Sequence, residues 1–273
     1  MSLPEPRDSS AALITGASSG IGAEVARELA RRGHGVILVA RRKEKLDEVA
    51  TELRSEFGVR AETLGCDLAK PASRDRLPGR IASLELEVEV LVNNAGFATG
   101  GAFAASDPER ELDQVRVLVE APVALTSAFL PAMVQRGRGA ILNVASTAGM
   151  QPLPYSAGYS AAKAYLLTFS EAIHQEVRGA GVTVTALAPG PVDTEFWEHA
   201  DWQVTGGKSF EQAFPSQVKP SPRDVARAGV SGLENGSRVV VPGLPMRVGM
   251  LAWRYVPHAF KLPLIEQVRR KPG

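Results

Sequence analysis

The sequence is poor in cysteine and aromatic residues and carries almost no excess of either charge. Cys66 is the only cysteine in 273 residues, so an intramolecular disulfide cannot form and a reducing, cytoplasmic location is the default expectation. Aromatic residues make up 6% of the chain against 44% hydrophobic residues in total, which favours closely packed helices and sheet. The net charge of +1 lacks the basic excess of a nucleic-acid-binding protein, so we expect no nucleic-acid partner.

An obvious membrane or export segment is also missing. Residues 1–10 contain charged residues and prolines where a secretory signal would have an apolar run. The longest uncharged stretch, residues 139–162, is interrupted by Asn143, Gln151, Pro152 and Pro154. We therefore do not expect it to cross a membrane as a helix, and we expect a soluble body.

Strand-like apolar runs alternate with amphipathic helical stretches along most of the chain. This alternation predicts an α/β fold, a doubly wound, Rossmann-like parallel β-sheet with helices on both faces in a single domain. We assign residues 1–243 to the cofactor-binding domain and 244–273 to a basic amphipathic tail of the same domain. Strands are predicted at 11–15, 36–40, 60–65, 88–93, 140–145, 182–188 and 239–241, and helices at 20–32, 43–57, 109–119, 123–136 and 158–178.

A glycine-rich turn lies where the first predicted strand meets the first predicted helix. The stretch from Thr15 to Gly22 reads TGASSGIG. Glycines at such a turn allow positive backbone angles and a close approach of a pyrophosphate, and the helix N-terminus favours an anion. The alternative is an ordinary glycine-rich turn with no ligand. The turn predicts a dinucleotide site that includes Gly16, Ser18, Ser19, Gly20, Ile21 and Gly22.

The end of the second predicted strand indicates which dinucleotide binds. NAD-binding folds usually place an acidic residue there, but this strand ends in Arg41 and Arg42. A guanidinium can bind the 2′-phosphate of NADP(H), whereas a carboxylate would repel it. We therefore expect NADP(H) to be preferred, with NAD(H) as the alternative cofactor, Arg41 as the main clamp and Arg42 as a second one. The other interpretation is that both arginines are merely solvated residues at the start of a helix.

Four further motifs follow in order along the chain. Lys163 stands four residues after Tyr159, and Ser146 stands 13 residues before that tyrosine. The sequence also contains CDL at 66–68, NNAG at 93–96 and PGPVDT at 189–194. With the glycine turn, these motifs make the chain resemble the classical short-chain dehydrogenase/reductase family.

This resemblance implies a set of site residues. Ser146, Tyr159 and Lys163 would be catalytic, and Tyr159 and Lys163 would also contact the cofactor, with Lys163 holding the nicotinamide ribose. No metal is implied, and the family suggests a homo-oligomer. The remaining implied cofactor residues are Asp67 and Leu68 at the adenine, and Asn93, Ala95, Gly96, Pro189, Gly190, Val192 and Thr194.

The residue types fit proton transfer to or from a carbonyl oxygen. Tyr159 and Lys163, four residues apart on a helix, share one face. A nearby ammonium is expected to lower the phenol pKa from its usual value of about 10, so that Tyr159 can exchange a proton while Ser146 orients the same oxygen. Taken singly, the tyrosine could be a half-buried helix residue and the lysine a surface residue.

One position departs from the family pattern. Many members have an asparagine midway along the helix after NNAG, thought to bend the helix and to hold a water linked to the lysine. Here the matching stretch is LVEA at 118–121, so Leu118 replaces that asparagine. Leucine cannot hydrogen-bond, so we expect the proton relay to follow another route or turnover to be slow.

Substrate selection is expected from segments beyond the fifth and sixth strands. An apolar segment after Thr194 favours an apolar carbonyl or alcohol substrate, although ordinary packing of an irregular hairpin would explain it equally. Residues 244–273 carry six Lys/Arg and one Glu among interleaved apolar residues, so this tail could cover the pocket, contact a partner subunit or lie on an anionic membrane. The residues in question are Gln151, Pro152, Leu153 and Pro154 before the tyrosine, and Phe196, Trp197, Trp202, Phe210 and Phe214 after Thr194.

The sequence thus predicts an NADP(H)-dependent oxidoreductase that interconverts a carbonyl and an alcohol. The small-molecule substrate would be a ketone or a 3-oxoacyl thioester. The alternative is a catalytically weak cofactor-binding sensor or scaffold of the same fold. A cytoplasmic location is expected, with a membrane-peripheral one as the alternative for the tail.

Overall fold

The computed structural model describes residues 3–196 and 219–269 of the chain. Within them, seven parallel strands form one sheet in the order β3-β2-β1-β4-β5-β6-β7. This arrangement confirms the predicted doubly wound fold and its single domain. The strands are β1 Ser10–Thr15, β2 Gly35–Ala40, β3 Ala61–Gly65, β4 Glu87–Asn93, β5 Gly139–Val144, β6 Val182–Leu187 and β7 Val239–Val240.

Both faces of the sheet are covered because the central strands are apolar on both sides. In β1, Ala12 and Ile14 belong to one buried cluster, and Ala11 and Leu13 belong to the other. Successive side chains of a strand point to opposite faces, so continuous apolar strands require two helical layers. The helices are α1 Gly20–Ala30, α2 Lys43–Phe57, α3 Pro71–Arg74, α4 Leu77–Ala82, α5 Pro108–Val115, α6 Ala121–Arg136, α7 Ala157–Val177, α8 Pro222–Glu234, α9 Leu244–Arg254 and α10 His258–Arg269.

The predicted break between helices at 109–119 and 123–136 is wrong. A π-helical turn, Arg116–Glu120, joins α5 to α6, so the backbone stays helical from Pro108 to Arg136. Pro122 is tolerated because it lies in the first turn of α6. By length and composition alone this run could cross a membrane, and the sequence analysis overlooked it. In its most apolar window 39% of the residues are buried, and Leu125 and Met133 of α6 lie in the core beside the sheet.

Several helices were not predicted. The short α3 and α4 cover the loop after β3, and α8 packs beside α1 on one face of the sheet. The tail forms two helices, α9 and α10, separated by a short turn. These elements complete the cover of the sheet and bring the tail to the carboxyl ends of the strands, where doubly wound sheets bind ligands.

Candidate active site

The glycine-rich turn is tightly packed against the loop after β4. Gly16 has a φ of +66°, and a Cβ there would lie 2.8 Å from Cα of Ala95. A Cβ on Gly22 would collide with the Gly16 carbonyl and the Asn94 side chain. Only glycine fits at both positions, so the turn can pack closely against the loop after β4.

Asn94 holds this turn in place, although the sequence analysis assigned no role to it. Its Nδ2 donates to the carbonyl oxygens of Thr15 and Gly16 at 2.9 and 3.1 Å. The Thr15 hydroxyl accepts from the backbone N–H groups of Asn94 and Ala95 at 3.0 and 3.1 Å. The NNAG motif therefore braces the glycine turn, and the signal was the second asparagine of that motif.

Arg42, rather than Arg41, is directed at the turn. Nη2 of Arg42 lies 3.2 Å from the hydroxyls of both Ser18 and Ser19. Arg41 is exposed and makes no hydrogen bond or ion pair with any residue that the structure describes. Arg42 is the N-cap residue of α2, and its side chain reaches back across the turn. Both arginines remain predicted clamps for the 2′-phosphate, with Arg41 expected as the main one.

The segment after β6 approaches the same turn. A Cβ on Gly20 would lie 3.2 Å from Cγ2 of Thr194, so the two residues pack together at the start of α1. The Pro189 carbonyl accepts from the Thr147 backbone at 3.0 Å and thereby ties this segment to the residues after β5. Val192 is buried in the core. The PGPVDT motif therefore connects the glycine-rich turn with the loop that carries Ser146.

Four other predicted cofactor residues occupy different surroundings. Asn93 is 3% exposed, and its Nδ2 donates to Asn143 on β5 at 2.8 Å, so its side chain lies inside the sheet. The Asp67 carboxylate accepts from the Ala69 backbone at 3.1 Å and shapes the loop after β3. Leu68 is buried in the core. Ile21 at the turn likewise packs against the core from a half-buried position.

The three predicted catalytic residues lie together at the carboxyl ends of β5 and β6. The Ser146 hydroxyl forms a hydrogen bond with the Tyr159 phenol. Nζ of Lys163 lies 5.8 Å from the centroid of the Tyr159 ring and donates to the Val144 carbonyl at 2.6 Å. A Cβ on Gly96 would come within 3.9 Å of the same Nζ. The sequence-predicted residues of this end of the site are thus neighbours in space.

Burial sets the proton affinities of this pair. Burial raises the pKa of Tyr159 to about 12, and the hydrogen bond from Ser146 opposes this rise. Burial also lowers the pKa of Lys163 to about 7. The expected lowering of the phenol pKa by the lysine is therefore wrong for the protein without bound cofactor, because loss of hydration disfavours the charged form of both groups. At neutral pH the phenol keeps its proton.

Leu118 lies in the π-helical turn and takes part in the site. It is 1% exposed and belongs to a small buried cluster with Ala98, Tyr159 and Ala162. Its Cδ2 faces Gly96, where a Cβ would come within 2.8 Å. The helix therefore has a π-turn at this position without the usual asparagine, and an apolar side chain fills the space beside the lysine. π-turns often mark functional sites.

Phe196 and helix α9 bring apolar side chains close to the site. The rings of Phe196 and Tyr159 have centroids 5.8 Å apart at an angle of 54°. Met246 on α9 packs against Gly190, and the Trp253 indole donates to the Gln151 side chain. Of the predicted lid aromatics, only Phe196 lies among the described residues. Trp197, Trp202, Phe210 and Phe214 fall outside them.

The residues of the turn fit a dinucleotide with a 2′-phosphate. Ser19 is the N-cap residue of α1, but its side chain does not accept a hydrogen bond from the first turn of the helix. The N–H groups of that turn are therefore available to an anion. Gly16 and Gly22 let the turn pack closely against Asn94 and Ala95, and Arg42 adds a cation at the edge of the turn. No group of three potential metal ligands occurs among residues 3–196 and 219–269.

Known proteins resemble this chain over most of its length. The family model for short chain dehydrogenases matches residues 10–204. A very-long-chain 3-oxoacyl-CoA reductase from Anas platyrhynchos is 35% identical, with 85% of this chain and 72% of that protein covered. The structure of a short-chain dehydrogenase from Sphingobium yanoikuyae in complex with NADPH has a TM-score of 0.78 and 31% identity, covering 97% and 98% of the two chains. A bulky-bulky ketone specific alcohol dehydrogenase from Comamonas testosteroni has a TM-score of 0.75 and 27% identity, covering 98% of each chain.

Proposed function

The chain belongs to the short-chain dehydrogenase family and is an NAD(P)-dependent oxidoreductase of CH–OH or carbonyl groups, and on that premise we propose that it reduces an apolar carbonyl compound with NADPH. The observation that carries this proposal is the hydrogen bond between Ser146 and Tyr159 beside the buried Lys163. These three side chains lie at the edge of the sheet where doubly wound folds bind their ligands.

Each residue has a distinct role in this proposal. Tyr159 donates its phenolic proton to the carbonyl oxygen, and it holds that proton at neutral pH because burial raises its pKa to about 12. Ser146 donates a hydrogen bond to the same oxygen and orients it. Lys163 holds the ribose of the cofactor and favours the phenolate left after proton transfer. The bound nicotinamide supplies the hydride.

The preference for NADP(H) rests on the cation at the glycine turn. Arg42 lies within hydrogen-bonding distance of Ser18 and Ser19, and a guanidinium can bind a phosphate through two parallel hydrogen bonds. The related short-chain dehydrogenase from Sphingobium yanoikuyae binds NADPH, which supports the same choice here. NAD(H) remains the alternative cofactor.

Two substrate classes fit a site with apolar side chains nearby. Phe196, Met246 and Trp253 contribute apolar surface around the site, as in pockets that hold apolar ligands. The names of the relatives point to a 3-oxoacyl thioester or a bulky ketone. We propose that the tail covers this pocket as part of the same domain, since α9 contacts both Gly190 and Gln151.

Exposed apolar side chains on several helices support two proposed partners, an anionic membrane surface and a second copy of the chain. Leu244, Val248 and Tyr255 on or next to α9 are more than half exposed, in a segment rich in basic residues, which suits contact with an anionic membrane surface. Leu112 on α5 and Tyr165 on α7 are also exposed, which suits a homo-oligomer. A cytoplasmic enzyme that associates with membranes through its tail combines these features.

The decisive experiment measures NADPH consumption by the purified chain. The carbonyl panel contains bulky apolar ketones, 3-oxoacyl thioesters of increasing chain length and polar ketoses as the matched control. We expect turnover with at least one apolar class and little with the ketoses. NADPH binding without turnover of any carbonyl or reverse turnover of any alcohol would favour the sensor or scaffold, the alternative that Leu118 in place of the usual asparagine supports.

A further inference from the structure

A carboxylate from a distant part of the chain occupies the cationic edge of the glycine turn. Glu195 lies 2.9 Å from Nη2 of Arg42 and 2.8 Å from Nζ of Lys45. The Ser19 side chain adds a hydrogen bond to the same carboxylate. Arg42 Nη2 also lies 3.2 Å from the Ser18 and Ser19 hydroxyls. Two cations and the Ser19 hydroxyl thus converge on one anion, and the Ser18 hydroxyl lies beside Arg42.

These partners have the chemistry of a site for a phosphate monoester. A carboxylate and a phosphate bind guanidinium, ammonium and hydroxyl donors in the same way, so they compete when the donors are shared. The contacts with Lys45 and Arg42 hold the pKa of Glu195 at about 2, so it is ionised at neutral pH. An ionised Glu195 in this position would repel a second anion brought to Arg42.

The neighbours of Glu195 connect this edge with the catalytic end of the site. Thr194 packs against Gly20 at the start of α1, and the Phe196 ring lies against Tyr159 with centroids 5.8 Å apart. Three consecutive residues thus contact the phosphate turn, the cationic edge and the catalytic tyrosine. A displacement of Glu195 would therefore shift the neighbouring Phe196 against Tyr159.

Building on the proposed function, we propose that Glu195 is a specificity-determining residue that occupies the pocket for the 2′-phosphate and must leave it when NADP(H) binds. It therefore weakens the binding of 2′-phosphorylated cofactors and reduces the preference of the enzyme for NADP(H) over NAD(H). Its side chain is 36% exposed, so it can turn towards solvent without crossing the core. Lys45 is the second cation of the pocket, which the sequence analysis did not identify.

The test compares three nucleotides by calorimetric titration against wild type and Glu195→Gln. The nucleotides are NADPH, NADH and adenosine 2′,5′-bisphosphate, which carries the phosphate without the nicotinamide. Because each exposed ion pair contributes little, we expect NADPH and the bisphosphate to bind about fivefold more tightly to the variant. NADH affinity should change by less than about twofold.

Asp47→Asn is the matched control. Asp47 is a carboxylate paired with Lys43 on the same helix at 2.9 Å, but its contacts do not include Arg42, Ser18 or Ser19. This variant removes the same charge from α2 and should leave all three affinities unchanged. An equal gain in both variants would attribute the effect to overall charge and overturn the proposal.

The possible results separate this proposal from the proposed function. If wild type binds NADPH but Glu195→Gln binds it no more tightly, the role of Glu195 is wrong and the NADP(H) assignment stands. Weaker NADH binding by the variant would also overturn the proposal, because the carboxylate would then serve as a ribose acceptor. If wild type binds neither NADPH nor the bisphosphate, both assignments fail. Thermal unfolding of each variant verifies that it is folded.

Discussion

Replacing Lys163 with methionine tests the burial of its amine without cofactor or substrate. Lys163 is 4% exposed, and burial lowers its pKa from the ordinary 10.5 to about 7. Between these two values the unfolded chain binds more protons than the folded one, so this group makes the wild type more stable as pH rises. Methionine carries no proton to lose, so the variant lacks this contribution.

The size of the effect follows from the pKa difference. The interval from 10.5 to about 7 corresponds to about 5 kcal/mol of unfavourable charging in the folded protein. This cost is fully present below about pH 7 and is gone above about pH 10.5. The variant also loses the hydrogen bond to the Val144 carbonyl, about 1–3 kcal/mol that does not depend on pH. The free energy of unfolding of the variant minus that of wild type should fall by about 3 kcal/mol between about pH 6 and about pH 9.5.

Urea unfolding of the cofactor-free proteins at a series of pH values measures this difference. Lys70→Met is the control, because Lys70 is exposed and the same substitution should give a difference that does not depend on pH. A pH-independent difference for Lys163→Met as well would refute the reasoning. In that case the amine would be hydrated in solution or paired with a charge, and its pKa would lie near the ordinary value.

Three further substitutions test other parts of the site. Gly22→Ala should destabilise the protein by about 1–3 kcal/mol and weaken NADPH binding, because the new Cβ would collide with the turn. Thermal unfolding and NADPH titration measure the two effects, and Gly79→Ala is the control because nothing lies within 4 Å of a Cβ there. Unchanged NADPH binding by Gly22→Ala would count against the turn as the cofactor site. Leu118→Asn should raise the pKa of Lys163, because a polar side chain stabilises the charged amine, and turnover should be equal or higher. A pH–rate profile measures both. Loss of activity in the folded variant would contradict the assignment of the site. Trp253→Ala should raise KM for large apolar carbonyls while NADPH affinity stays constant, and an unchanged KM for every substrate would separate the tail from the pocket.

The sheet could be predicted from sequence because most of its strands are largely apolar runs that end at turns. The helix α8 was missed because Gly229 and Gly232 make it look like a poor helix. Both glycines let α8 pack closely on the sheet, since a Cβ on Gly229 would lie 2.7 Å from Cδ2 of Leu187 and one on Gly232 would collide with Val240. Tertiary packing therefore overrides local propensity in this helix, and a local pattern cannot reveal that.

The proximity of the three predicted catalytic residues could be predicted because Ser146, Tyr159 and Lys163 belong to one motif with fixed spacing. The proton affinities could not, since they depend on burial, and the residues that bury them come from distant segments of the chain. The same reason explains the missed role of Glu195, which lies 153 residues from Arg42 in sequence. Local motifs therefore locate a site, whereas the pKa values of its residues depend on side chains that distant segments of the chain place around them.

The central claim is that Tyr159 delivers a proton while hydride moves from the nicotinamide to a carbonyl carbon. NADPH deuterated at the transferring position of nicotinamide C4, reacted with an active carbonyl substrate, tests it most directly by mass spectrometry of the alcohol. The account predicts one deuterium on the carbinol carbon, and a rate for Tyr159→Phe at least about a hundredfold lower at equal NADPH affinity. An alcohol without deuterium, or a Tyr159→Phe variant as fast as wild type, would contradict it.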